Sequence, residues 1–265
     1  ALSVDGGPDN LIDYNFYKKK FYAGAYVSKG KVIDVFGIYS PGGLWDYVSK
    51  YYKLREGSLM ALASASKSKL KQYKVDSSLW IHNKQSSLMA EMELLRLIQY
   101  VENDAIASNN YNEIDERFTL AENKISMVMK VIQQVSLEIM SKNIENAIKH
   151  YAIQPCNTYL AISGGFGLNC PCNSFLMNKY SFKGFIAPPC VNDSGMALGI
   201  GLYAFYRRDP AMNFTLRTAY FGNSDRTLEE TLQKYDHFIE DIQMMDRGIV
   251  VQDIINGPIV WFDGA

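Results

Sequence analysis

The chain has 265 residues, 48% apolar and 21% charged, with 27 Lys+Arg against 28 Asp+Glu and a formal net charge of -1. This composition argues against a disordered chain, and near-neutrality removes the basic excess by which nucleic-acid and acidic-membrane binders are recognised. Four clustered cysteines, Cys156, Cys170, Cys172 and Cys190, do not make a secreted disulfide scaffold, so a cytoplasmic location is expected.

In chain order, Ala1 to Val4 reads as a strand entering the turn Asp5-Gly6-Gly7-Pro8. Phe21 to Val27 and Lys31 to Ile38 flank Ser28-Lys29-Gly30, a hairpin signal, so residues 1–40 predict three strands in antiparallel order. Pro41-Gly42-Gly43 opens a helix on which Leu44, Tyr47, Val48 and Tyr51 share a face. The stretch from Ser64 to Lys74 reads as a solvated face carrying Lys67, Lys69, Lys71 and Lys74, with phosphate contact as the alternative. Ser87 to Ile98 is helical again, and residues 102–116 read as a loop. Thr119 with Glu122 forms a capping box, and Val128, Ile132, Val135 and Ile139 align behind it, predicting a helix to about Tyr151. That helix ends a helical segment spanning 41–151.

From residue 152 the pattern alternates. Thr158 to Ile162 is a buried strand ending at Ser163-Gly164-Gly165, and Leu168 to Tyr180 is a helix. Phe185 to Ala187 is a short strand closed by Pro188-Pro189, Ser194 to Tyr206 is a helix rich in small residues, and a last strand is expected near Val260. Strand-turn-helix repetition of this kind builds a parallel sheet, so the fold class is α/β, with strand-helix units over 152–265. No apolar run approaches the roughly 18 residues of a membrane span, and no membrane partner is expected. The apolar ends, Ala1-Leu2-Ser3-Val4 and Ile259-Val260-Trp261-Phe262, are those expected of an excised piece of a longer protein.

Ligands of open α/β sheets bind beyond the carboxyl ends of the strands. Three turns qualify there: Asp5-Gly6-Gly7, Ser163-Gly164-Gly165 and Asn192-Asp193-Ser194-Gly195. Glycine lets the backbone come close to a ligand, and two of these turns open helices whose N-terminal N–H groups favour an anion. Each turn alone has a plainer reading: Asp-Gly-Gly as an ordinary turn, Asp193 as a helix N-cap, Gly195, Gly199 and Gly201 as close-packing positions. Those readings leave unexplained why all three stand at strand ends of one sheet. His82, His150 and His237 lie far apart without metal spacing, and Cys170-Pro171-Cys172 with Cys190 lacks the usual zinc spacing. The Gly-x-x-x-x-Gly-Lys-Ser/Thr phosphate loop, the Gly-x-Ser-x-Gly elbow and the Gly-x-Gly-x-x-Gly fingerprint do not occur.

The run Ser163-Gly164-Gly165-Phe166-Gly167-Leu168-Asn169-Cys170-Pro171-Cys172-Asn173, followed by Pro188-Pro189-Cys190-Val191-Asn192-Asp193-Ser194-Gly195-Met196-Ala197-Leu198-Gly199, resembles the paired signature of the carbamoyltransferase family that includes nodulation-factor and antibiotic-tailoring enzymes. Leu2-Ser3-Val4-Asp5-Gly6-Gly7 resembles that family's Asp-Gly strand, Gly43-Leu44-Trp45 its helix start, and Glu56 with Met60-Ala61-Leu62-Ala63 its Glu…Met-Gly-Leu-Ala segment. The resemblance implies an actin-like, ribonuclease H-like fold, the superfold of sugar kinases and heat-shock ATPases, in the variant of the threonylcarbamoyl-transfer proteins. It implies an O-carbamoyltransferase of the EC 2.1.3 type. In members of that family a separate adenylate-forming domain makes carbamoyl adenylate from carbamoyl phosphate and ATP, and the resemblance implies that the actin-like domain passes the carbamoyl group to a hydroxyl acceptor on a sugar or natural product.

On this resemblance residues 1–265 are the central part of the transfer domain, inactive alone, with the preceding segment and the adenylate-forming domain absent, and a homodimer is compatible with it. Asp193 and Asp5 match catalytic positions, Asp193 also being the acidic ligand of a divalent metal, iron-type or Mg. The matched nucleotide-binding positions are Gly6, Gly7, Ser163, Gly164, Gly165, Asn169, Ser194 and Gly195. The His-x-x-x-His pair that accompanies the metal in that family does not occur in this chain, and Phe166 and Gly167 replace the usual Val-Ala. The alternatives are a kinase or ATPase of the same superfold and a non-catalytic nucleotide-binding module.

Overall fold

A computed structural model describes residues 1–5, 24–77, 86–188, 190–214 and 227–260, with residues 86–88 and 194 described by their backbone alone. Gly6, Gly7, the start of the Phe21 to Val27 strand and Trp261 lie outside the described residues. The chain divides into two units, Ala1–Met212 and Asn213–Ala265.

The first unit contains strands β1 (Leu2–Ser3), β2 (Gly24–Ser28), β3 (Lys31–Phe36), β4 (Tyr159–Ser163) and β5 (Gly184–Ile186). Its helices are α1 (Gly42–Tyr52), α2 (Glu56–Ala65), α3 (Ser86–Asn103), α4 (Leu120–Tyr151), α5 (Cys170–Tyr180) and α6 (Met196–Arg208). The strands form one sheet in the order β3-β2-β1-β4-β5. β2 runs antiparallel to β1 and β3, and β4 runs parallel to β1 and β5. The fold is therefore α/β around a single mixed sheet, not an antiparallel group followed by a parallel one, because β1 pairs on both of its edges.

Local chemistry accounts for the elements. Lys29 and Gly30, at φ 49° and 74°, form the two-residue primed turn whose twist suits a hairpin, and Ser28 pairs with Lys31 across it. Helix α4 starts at the capping box: Thr119 Oγ1 accepts from Glu122 N–H at 3.3 Å, and Glu122 Oε2 accepts from Thr119 N–H at 2.8 Å. It runs 32 residues and stops where Ala152 turns left-handed at φ 49°.

The buried stripe of α4, with Val128, Ile132, Val135 and Ile139, meets Leu44, Trp45 and Val48 of α1, Leu59 of α2, Leu97 and Ile98 of α3, Ile162 of β4 and Leu176 of α5 in one core. Burying each such side chain contributes about 1.5–3 kcal/mol relative to leaving it exposed, so α4 is the axis on which the unit is assembled. Trp45 satisfies its indole N–H on Ser136 Oγ at 3.1 Å inside that core.

A buried polar knot secures the chain after α2. Asn123, fully buried on α4, donates through Nδ2 to the carbonyls of Asp115, Phe118 and Thr119, while its Oδ1 accepts from Asp115 N–H at 2.9 Å and from Ser68 Oγ. Lys130 Nζ donates to the carbonyls of Ser66 and Ser68 at 2.5 and 2.8 Å. This network pins the Ser/Lys-rich stretch to α4.

The second unit carries helices α7 (Leu228–Lys234) and α8 (Arg247–Asn256), the latter capped by Asp246 Oδ1 accepting from Gly248 and Ile249 N–H. Neither was expected from periodicity. Residues 258–260 are irregular, so the strand expected near Val260 is not formed there; Pro258, which has no N–H, follows Gly257 at the end of α8. Among the described residues no helix is long and apolar enough to cross a membrane.

Candidate functional site

Because β1, β4 and β5 are mutually parallel, their carboxyl ends lie along one edge of the sheet. Asp5 follows β1, Ser163-Gly164-Gly165 closes β4, and Cys190 to Gly195 follows β5. Main-chain bonds join the three segments. Val4 N–H donates to Ser163 O at 2.8 Å, Phe166 N–H to Val4 O at 3.1 Å, and Gly164 N–H to Val191 O at 2.7 Å.

Two glycines are required by this crossing. Gly164 sits at φ 86° with the Val4 carbonyl oxygen where a Cβ would stand, and a Cβ on Gly195 would collide with the carbonyl oxygen of Cys190. A Cβ on Gly165 would lie 3.2 Å from Asp5 Oδ1, so the glycine loop runs directly against that carboxylate. The Asp5 carbonyl accepts from Ser40 Oγ, which also accepts from Gly42 N–H at 3.1 Å, so the start of α1 is tied to the same edge.

The expected site residues are distributed unevenly across this edge. Asp5, Ser163, Gly164 and Gly165 come together, and Asp193, Ser194 and Gly195 form a short 3-10 turn that leads into α6. Asp193 is exposed, and no hydrogen bond or ion pair ties its carboxylate to the described residues. The N-cap reading of Asp193 does not hold: the N-cap position of α6 is Gly195, which has no side chain with which to cap. Asn169 is fully buried; its Oδ1 caps α5 by accepting from Cys172 N–H at 3.0 Å. With that cap and with Pro171 in its first turn, the α5 N-terminus has few donors left for an anion.

The metal-binding expectation finds a partial donor set. Among the described residues no three His, Cys, Asp or Glu side chains gather as a ligand cluster. Asp193 is a single carboxylate, and the described residues do not fit a resident metal by themselves. The cysteines are free: Cys170 is exposed, Cys190 is half-buried, and burial pushes the Cys172 thiol up to about 12, which keeps it protonated and unreactive near neutrality. His150 stacks edge-on against Tyr151, His237 belongs to the second unit, and His82 lies outside the described residues.

The lysine run borders a separate feature. A cleft of about 710 Å³ opens between residues 69–77 and α4, with Lys69, Lys74 and Lys130 among its lining residues and Asp76 and Glu138 offsetting part of their charge. Lys71 instead donates to the Asn109 carbonyl at 3.1 Å.

Some residues that shape the edge carried no motif. Ser40 holds the Asp5 main chain, Val191 supplies the carbonyl under Gly164, and Gln133 pairs with Asn169 from α4. Gln133 sits beside Ile132 on the border of the helix stripe, where a polar residue reads as ordinary surface; only its partner distinguishes it.

Residues 20–202 match the protein family described as Carbamoyltransferase N-terminus. Over 64 residues the chain is 39% identical to a 3'-hydroxymethylcephem-O-carbamoyltransferase of Amycolatopsis lactamdurans and 41% identical to the protein of the same name from Streptomyces clavuligerus. Each of these matches covers 23% of this chain and 12% of the relative's length. With more than half of its length matched by the family and with the signature loops at the strand ends of an α/β sheet, the chain belongs to the carbamoyltransferase family.

Proposed function

We propose that this chain carries the group-transfer site of an O-carbamoyltransferase, in which carbamoyl adenylate is held at the edge formed by Asp5, Ser163 to Gly165 and Asp193 to Gly195. The acceptor oxygen attacks the carbamoyl carbon. A new C–O bond forms, the bond from that carbon to the phosphate oxygen breaks, AMP leaves, and the acceptor proton passes to a carboxylate or to water. The actin-like architecture belongs to the same reading, as does the formation of the adenylate from carbamoyl phosphate and ATP elsewhere in the full-length protein.

The observation that carries the reading is the convergence of the two signature loops and Asp5 at one strand-end edge, where Gly164 and Gly195 bring the main chain into contact too close for any side chain. Backbone N–H groups of these loops and the start of α6 suit the adenylate phosphate. Asp193, exposed and without a partner among the described residues, is available to take the acceptor proton. The acceptor is a hydroxyl on a sugar or natural product, by likeness to relatives named for a hydroxymethylcephem.

Incubating the full-length protein with carbamoyl phosphate, ATP and hydroxyl acceptors tests this. The reading expects AMP, pyrophosphate, inorganic phosphate from the carbamoyl phosphate and an O-carbamoylated product; release of ADP alone would favour a kinase or ATPase of the same superfold, and no nucleotide turnover with any acceptor would sink it.

A further inference from the structure

The glycine loop is held from beneath by carboxamides, one of which lies outside every motif. Asn169 has no exposed surface. Its Nδ2 donates to Gln133 Oε1 at 2.9 Å, and its Oδ1 accepts from Gln133 Nε2 at 3.1 Å, in addition to capping α5. The Asn169 main-chain N–H donates to Phe166 O at 2.9 Å, and Phe166 N–H donates to Val4 O. One turn on, Asn173 Nδ2 donates to Gly167 O at 2.8 Å, and Gly167 N–H donates to Gly164 O at 2.8 Å.

A continuous set of hydrogen bonds thus runs from the core helix α4, through Gln133 and Asn169, into the peptide groups that shape the loop. The arrangement is more than core filling. A hydrophobic side chain at position 133 would occupy the space, whereas the reciprocal amide pair fixes the orientation of the Asn169 carboxamide, and with it the backbone path from Ser163 to Leu168. Asn173 Oδ1 remains buried with no donor among the described residues, a cost accepted where the other half of that amide holds Gly167 in place.

We propose that Gln133 is a positioning residue for carbamoyl transfer: without touching the nucleotide, its carboxamide holds Asn169, and through it the 163–168 backbone, in the shape that receives the adenylate. This rests on the reading that the strand-end edge binds the adenylate. It also assigns Asn169 to the support of the loop rather than to contact with ligand.

The test uses the full-length protein and a stable mimic of carbamoyl adenylate, a carbamoyl-sulfamoyl adenosine, whose affinity is measured by calorimetry while amide hydrogen exchange of residues 163–169 identifies the site. Gln133→Ala is expected to weaken mimic binding roughly tenfold, the usual effect of orphaning a buried hydrogen-bonded amide. Gln133→Glu separates positioning from mere stability. As a carboxylate it cannot donate to Asn169 Oδ1, but once protonated it can, so its affinity relative to the unaltered protein is expected to recover as pH falls from about 7 through the ordinary glutamate range to about 4. Unchanged affinity in both variants overturns the proposal. So does equal weakening of Gln133→Glu at every pH alongside lowered thermal stability, which is the result of a structural role alone. Failure of the unaltered protein to bind the mimic at 163–169 instead overturns the reading on which the proposal stands.

Discussion

Gly164 shows how a single position couples fold to site. Its left-handed backbone and the Val4 carbonyl pressed against it leave no space for a methyl group, so Gly164→Ala must either strain the loop or push β1 away from β4. We expect a loss of about 2–3 kcal/mol in urea unfolding, with the mouth of the site displaced. Asp193 is the opposite case. Exposed and bonded to nothing described, it contributes little to the fold, so Asp193→Ala should leave unfolding within about 0.5 kcal/mol of the original while abolishing transfer in the full-length protein. Normal transfer by that variant would remove Asp193 from the site. Asp193 and the glycines were legible as residues because turn chemistry and motif order mark them. Asn169 was legible as part of the motif, but its fully buried position was not, since burial depends on Gln133, which lies thirty-six positions away in sequence.

At the scale of elements, the N-terminus of α4 is the most predictable feature and the chain after α2 the least. The capping box was readable because both partners lie within one turn, and Thr119→Ala should cost about 1 kcal/mol by chemical denaturation, with the helix fraying at its start. The knot around Asn123 was not readable, because Ser66, Ser68 and Asp115 meet it only after the chain has folded back onto α4.

Its outer member, Asp115, receives two hydrogen bonds from the Arg117 guanidinium, at 2.7 and 2.9 Å, and one from Lys67 N–H at 2.9 Å. The Arg117 side chain first, and then the Lys67 amide, hold the Asp115 carboxyl well below the usual carboxylate range. A depressed value in the folded state means that the stabilisation is fully present above the unfolded-chain value of about 3.9 and is lost as pH falls below it toward the folded value. Stability measured against pH should therefore fall on the acid side, and Asp115→Asn should flatten that fall; an unchanged acid slope in the variant would show that Asp115 does not govern it.

Across the whole molecule, alternating strand and helix patterns announced an α/β chain, because sheets built of strand-helix units leave a periodic trace along the sequence. The pairing of β1 on both edges left no such trace: strand order is a property of contacts between distant segments, and here it makes the one sheet mixed. The helices of residues 228–234 and 247–256 escaped for another reason, since both are short and lack a buried stripe to set a period. The family of the chain is shown by the match over residues 20–202, and its proposed function requires the strand-end loops to hold the adenylate. Hydrogen exchange of the full-length protein with and without the carbamoyl-sulfamoyl adenosine measures this directly. Slowed exchange concentrated in residues 163–169 and 191–197 is the predicted result, and protection elsewhere with these two loops unchanged would contradict it.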